Sequence, residues 1–181
     1  MSKLGNLGKH LKTITTHKFF VMRHCFRLGL YKQGLTHDLS KYMPTELIAG
    51  AKYYQGSRSP NTGEREAKGY SLAWMHHKGR NRHHYEFWTD YSTETKRVEP
   101  MPMPTRFVLE MFADRMAASK VYLGDAYTDL APLNYYLEAK DRMLIHPKTR
   151  KQLEFLLRML ARDGEEKTFS YIRTRIMKKR R

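Results

Sequence analysis

Apolar positions recur at helical spacing along most of the chain. Leu11, Ile14, His17, Val21, His24 and Leu28 follow at three- and four-residue steps, predicting a helix over 4–28 with Gly29 as its C-cap. Pro44 opens a second helix with Glu46 in its first turn, running to about Gln55. The polar stretch 56–63, GSRSPNTG, predicts a loop, and 64–78 a helix with Tyr70, Ala73, Trp74 and His77 on one face. Residues 92–104, polar and then proline-rich, predict a connection without regular structure. An amphipathic helix follows over 105–122, with Phe107, Met111, Asp114 and Ala118 on one face. After a loop at 123–131, helices are expected at about 132–144 and at 147–162, the second opened by Pro147. No segment alternates in the manner of a strand and no internal repeat is present. The pattern predicts an all-α fold: a compact single-domain helical bundle over 1–177, with Lys178-Lys179-Arg180-Arg181 as a solvated basic tail.

Several polar residues fall on the faces expected to be buried. His17 and His24 share the inward stripe of the first helix but stand two turns apart, so at most one of them serves a given ion. Asp114 sits among Phe, Met and Ala, where an unpaired carboxylate is too costly to bury. Its partner is a metal, a histidine, or one of Arg115 and Arg142, and Glu110, one turn earlier, can join either arrangement. The dipeptide His37-Asp38 follows Thr36, a candidate N-cap that would place both residues in a first helical turn. Adjacent His and Asp ligate one ion only where the backbone turns, or serve two neighbouring ions.

Four of the nine histidines lie within His76-His77-Lys78-Gly79-Arg80-Asn81-Arg82-His83-His84. Imidazole is the commonest protein metal ligand. Residues seven apart on a straight helix are separated by roughly 10.5 Å, beyond the span of one ion with bonds of about 2 Å. Gly79 and Asn81 offer a break that would fold the second pair back on the first. The alternative is a wet basic turn. Tyr85, Phe87 and Trp88 are expected to pack into the core beside it.

Composition narrows the chemistry. With Cys25 the only cysteine, neither an internal disulfide nor a multi-cysteine zinc knuckle is possible, so any metal is held by His and carboxylates. With 34 Lys and Arg against 18 Asp and Glu, the formal charge is +16, which implies attraction to nucleotides, nucleic acid or another anionic partner. No helix-turn-helix, RNA-recognition or zinc-finger signature accompanies that charge. No apolar run approaches the ~20 residues that span a bilayer, and the N-terminus lacks a signal-peptide core. A reduced cytoplasm and no membrane association are therefore expected.

In order, the candidates read His17 (or His24), His37-Asp38, one or more of His76, His77, His83 and His84, then Asp114. This H…HD…H…H…D order resembles the HD-domain superfamily of metal-dependent phosphohydrolases, an all-α fold. His37-Asp38-Leu39-Ser40-Lys41 is similar to the H-D-x-x-K variant of cyclic-dinucleotide phosphodiesterases. HHKGRNRHHYEFW, with HKFFV upstream and EMFAD downstream, also resembles a family of small uncharacterised bacterial and phage proteins. The gap of 20 residues from His17 to His37 is short for an HD domain, and HHxxxxxHH is not a standard element of one. The HD resemblance implies His17 as first ligand, His37 beside it, Asp38 as bridging carboxylate and Asp114 as closing ligand, with the 76–84 histidines completing a second ion. It implies a divalent metal, Mn or Fe foremost, with Mg, Zn, Ni or Co compatible. Asp38 and Lys41 would act in catalysis, and Lys41, Arg80 and Arg82 would hold phosphate oxygens. The implied activity is hydrolysis of a nucleotide or phosphodiester, the partner being a phosphate-containing small molecule or nucleic acid. The superfamily also includes di-iron oxygenases, which makes oxygen chemistry a rival. Charge alone supports a non-enzymatic nucleic-acid-binding protein.

Overall fold

The structure, a computed structural model, describes residues 3–178. Helix α1 (Lys3–Arg27) carries the expected stripe. Ile14, Val21, Cys25 and Leu28 are buried, together with three imidazoles at seven-residue spacing, His10, His17 and His24. The helix ends at Gly29, whose φ of 76° suits glycine, and the Leu30 N–H closes on the Cys25 carbonyl at 2.8 Å.

A short helix α2 (Tyr31–Thr36), a 3-10 turn (Leu39–Tyr42) and α3 (Pro44–Lys52) follow. The single helix expected over 64–78 is two helices, α4 (Pro60–Lys68) and α5 (Leu72–Arg80). Proline at the start opens α4, and Gly69, with φ 80°, stops it. Ser71 restarts the chain: its hydroxyl accepts the Trp74 N–H at 3.0 Å and donates to the buried Glu64 carboxylate at 2.7 Å.

Residues 92–104 contain more order than expected. Strands β1 (Thr89–Tyr91) and β2 (Val98–Pro100) form an antiparallel hairpin with Asp90 opposite Glu99. Each strand has only three residues, too few for an alternating pattern to announce it. Apart from this hairpin the described fold is all-α.

Helix α6 (Thr105–Leu123) is the central element. Val108, Leu109, Phe112, Ala113, Met116 and Ala117 are buried on it, between α1 and the Leu153, Leu156, Leu157 and Leu160 stripe of α8 (Pro147–Tyr171). Each large side chain so buried contributes about 1.5–3 kcal/mol. Between them lies α7 (Ala131–Ala139), shorter than expected because a 3-10 turn follows at Lys140–Arg142. α8 kinks at Gly164, where Asp129 accepts the Glu165 N–H at 3.1 Å. Phe169 and Ile172 then anchor a final π-helical stretch (Ile172–Met177). Trp88 and Tyr85 pack against the core, whereas Phe87 is exposed, contrary to expectation, its ring lying under the Arg82 guanidinium. Lys178 is exposed, and the rest of the basic tail lies outside the described residues. No helix among these residues is long and apolar enough to cross a membrane.

α3 crosses α1 where Gly50 meets His10: a Cβ on Gly50 would stand 2.0 Å from the imidazole Nε2. Gly50→Ala should therefore destabilise the fold by about 1–3 kcal/mol through overpacking. Urea unfolding measures this, and an unchanged midpoint would disprove the crossing.

His24 allows a pH prediction. Burial, then the Lys120 charge, lowers its pKa to about 4 against the opposing pull of Glu165. Above pH about 6.5 both folded and unfolded states hold it neutral. As pH falls from there towards 4, the unfolded chain takes up a proton that the folded chain refuses, so stability declines across this window and levels off below it. His24→Gln should flatten that decline by on the order of 3 kcal/mol at most. Parallel slopes for the two proteins would show that His24 does not titrate this way.

Candidate metal centre

Four parts of the chain deliver polar side chains to one place. The turn after α2 is the sharpest of them. Thr36 is the last residue of α2, with its hydroxyl bonded to the Lys32 carbonyl at 2.9 Å, and is not an N-cap. His37 is extended, and Asp38 is left-handed at φ 54°, ψ 25°, a conformation Asp tolerates better than most residues. The reversal turns both side chains inward, each 1% exposed. Lys18 of α1 secures it, donating to the Leu35 and His37 carbonyls at 2.8 Å each, acceptors at a helix end that no helical N–H reaches.

The histidine pairs converge because α5 stops. Gly79 stays inside the helix, and the break comes at Asn81, which is extended. Its side-chain amide donates back to the His77 carbonyl and to Ser40 Oγ, both at 2.8 Å. The returning chain brings the His83 and His84 rings to 6.2 and 4.8 Å from that of His77.

Asp38 stands between two groups of imidazoles. Its Oδ2 lies 3.3 Å from His37 Nε2 and 3.6 Å from His17 Nε2. Its Oδ1 lies 3.4 Å from His77 Nε2 and 3.5 Å from His83 Nε2. Asp114 Oδ1 completes the first group, 2.9 Å from His17 Nε2 and 3.5 Å from His37 Nε2. The result is two potential ion positions sharing Asp38: His17, His37, Asp38 and Asp114, and Asp38, His77, His83 and His84. Within each, the ligand atoms lie within 4.8 Å of one another.

The inward atoms are Nε2 of His17, His37, His83 and His84 and both oxygens of Asp38. All are buried and none has a hydrogen-bond partner among the described residues. Their close N–O approaches lack hydrogen-bond alignment, as expected of groups directed at a common centre rather than at each other. A buried polar atom left so costs about 1–3 kcal/mol. A cation with bonds of about 2.0–2.2 Å to such nitrogens and oxygens satisfies each group at once.

An outer layer fixes the rings. Glu110 Oε1 accepts from Nδ1–H of His37 at 3.0 Å and lies 3.2 Å from Nδ1 of His83. Glu46 Oε2 accepts from His77 Nδ1 at 2.8 Å, and its Oε1 from His76 Nδ1 at 2.6 Å. With Nδ1 protonated, the Nε2 lone pair faces inward, the tautomer a ligand needs. For that reason the grouping of His37, His83 and Glu110 is read as support rather than a third ion position.

The electrostatics favour positive charge in this cage. Burial alone would raise Asp38, but His37, Lys41 and His77 hold it well below the usual carboxylate range. Burial likewise opposes ionisation of Asp114, and the close approach of the His17 and His37 imidazoles overcomes it, holding it well below the usual carboxylate range. Burial would lower His37, and the Asp38 charge instead lifts it well above the ordinary value. His84 is pushed well below the ordinary value by burial, then by the charges of His83 and His77.

The remaining expected residues divide. Lys41 Nζ stands 2.6 Å from Asp38 Oδ2. His76 faces Glu46 and belongs to the outer layer. His24 sits apart, beside Lys120 and Glu165. Arg115 lies over the Tyr136 ring and Arg142 bonds the Glu138 carbonyl, so neither arginine is the partner of Asp114. Arg80 and Arg82 are exposed. Arg80 lines a groove of about 360 Å³ with Ser40 and Asn81. Neither arginine makes an ion pair among the described residues, so both charges are available to an anion. Glu46, Ser40 and Lys18 had no expected role at the centre. Glu46, placed just after Pro44, reads as ordinary compensation of a helix N-terminus, and nothing in its spacing reveals that it is buried.

No curated protein and no solved structure matches the chain. A family model matches residues 6–159, a span that contains every residue of the centre. The chain accordingly belongs to DUF5662, a family of unknown function.

Proposed function

We propose that the protein is a metal-dependent phosphohydrolase with a dinuclear His/Asp centre, acting on a nucleotide or phosphodiester. The observation that carries this reading is the single carboxylate, Asp38, set between two groups of inward imidazole nitrogens without hydrogen-bond partners. The H…HD…HH…D order of those ligands supports membership of the HD superfamily, and Mn or Fe suits a donor set without sulfur.

Ions held by these residues would supply an activated water and neutralise charge developing on phosphate. The chain's residues do the rest. Asp38, Asp114 and the imidazoles form a rigid cup whose outer nitrogens are held by Glu46 and Glu110. Asp114 and Lys41 are part-exposed, at 18% and 26% of their side chains, which gives an anion a way in from their side. The Lys41 ammonium, ion-paired with Asp38 Oδ2 at 2.6 Å, offers its free N–H donors to a phosphate oxygen. Arg80 and Arg82 attract and orient the remainder of an anionic substrate.

Elemental analysis of protein purified without added metal should find about two ions per chain. Asp38→Asn should abolish both, and Asp114→Asn should remove one, each with helical circular dichroism retained. Full metal content in Asp38→Asn would end the bridging assignment.

Metal-loaded protein assayed against nucleotides and phosphodiesters should hydrolyse at least one class. Lys41→Ala, Arg80→Ala and Arg82→Ala should each raise KM or lower kcat at fixed salt with metal content unchanged. Deleting residues 178–181 should alter mainly the salt dependence of association. Absence of hydrolysis across the panel would exclude the activity, and oxygen uptake by the reduced iron form would then be the next measurement.

A further inference from the structure

The two ion positions have different donors. The first takes imidazoles from His17 and His37 and oxygens from Asp38 and Asp114. The second takes three imidazoles, from His77, His83 and His84, and one oxygen of Asp38. We infer that the positions are chemically inequivalent: the second is a tight site for an imidazole-preferring ion such as Zn(II) or Fe(II), and the first a weaker, exchangeable site that accepts Mn(II). The inference rests on the dinuclear reading above and goes beyond it, since a dinuclear centre can equally hold two identical ions.

Two observations separate the positions. Imidazole-rich sites favour Zn, Fe and Cu, whereas carboxylate and water suit Mn and Mg, and the replacement of one oxygen by a third nitrogen shifts the balance accordingly. Lys41 acts on one side only. Its ammonium stands 2.6 Å from Asp38 Oδ2, the oxygen facing the first position, while Oδ1 faces the second without it. A cation bonded to Oδ2 shares that oxygen with Lys41, which weakens the first position. Access does not separate them, since each position has one half-buried ligand, Asp114 in the first and His84 in the second.

His84 sets the asymmetry. It is the third nitrogen, and its Nε2 is buried and unpartnered. Its ring is held in place by packing, 4.2 Å from His83 and 4.7 Å from Trp74, centroid to centroid.

The test uses full-length protein stripped of metal and given one equivalent of Zn(II) with excess Mn(II). Each chain should then hold one Zn and one Mn, and the electron paramagnetic resonance spectrum should be that of isolated Mn(II), without spin-coupled pairs. Anomalous scattering at the two metal edges should place Zn among His77, His83 and His84. In His84→Ala the preference should be lost and coupled Mn pairs should appear. Asp114→Asn should lose Mn while keeping Zn. Coupled pairs in the wild type, or Zn spread over both positions, would overturn the inference and leave the dinuclear reading standing. Failure to bind any ion would overturn both.

Discussion

A buried carboxylate must be paired, and most of this structure can be understood as the means of pairing one. Asp38 is 1% exposed and is ringed by four imidazoles and the Lys41 ammonium. An isolated charge there would cost several kcal/mol. The chain meets that cost by bringing α1, α5 with its returning segment, and α6 to the same point, so that the imidazoles of His17, His37, His77 and His83 surround its two oxygens. The left-handed backbone of Asp38 is part of the same arrangement. In a helical first turn, His37 and Asp38 would diverge by about 100°. With the chain reversed there, both point inward.

The outer carboxylates turn this convergence into rigidity. Glu110 Oε1 contacts one ring from each half of the centre, His37 and His83, so a shift in either half strains the other. Glu46 links α3 to α5 through two neighbouring imidazoles, one on each oxygen. These acids account for buried charge that would otherwise destabilise helices α3 and α6, and they set the tautomer of the ligands. The fold thereby couples its packing to its chemistry: α6 is at once the central core helix and the carrier of Glu110 and Asp114.

What could be read from the sequence divides along the same physical lines. Long helices with apolar stripes, α1 and α6, were legible because burial imposes a 3.6-residue period, and their polar exceptions, His17 and Asp114, marked the centre. The fold-back of the second histidine pair was legible as a need, since a straight helix would hold the pairs too far apart, but the break was placed at Gly79 or Asn81 and only Asn81 makes it. The division of 64–78 into α4 and α5 depends on a hydrogen-bond network among Glu64, Ser71 and Ala73, which leaves no period. The β1–β2 hairpin sets Thr89, Tyr91, Val98 and Pro100 on one face and Asp90 and Glu99 on the other, an alternation only three residues long in each strand and too short to stand out. The outer layer was hidden most completely. Glu46 sits where any helix welcomes an acid, and His76 is a neighbour of a ligand, so adjacency suggested a role that the helix rotation assigns to His77.

The distribution of charge follows from the same centre. Asp38, Glu46, Glu110 and Asp114, four of the 18 acidic residues, point into it and do little to offset the cations at the surface. Several of the others are held locally, as Glu66 is by Arg58 and Glu154 by Arg158. Anions therefore meet a surface more basic than the formal charge suggests, with Arg80 and Arg82 unpaired near the histidine segment. Long-range attraction of this kind raises encounter rates without selecting a substrate. Selection falls to the few groups that are both charged and fixed, and among these Lys41, tied to Asp38 yet part-exposed, is the one that faces both the centre and the solvent.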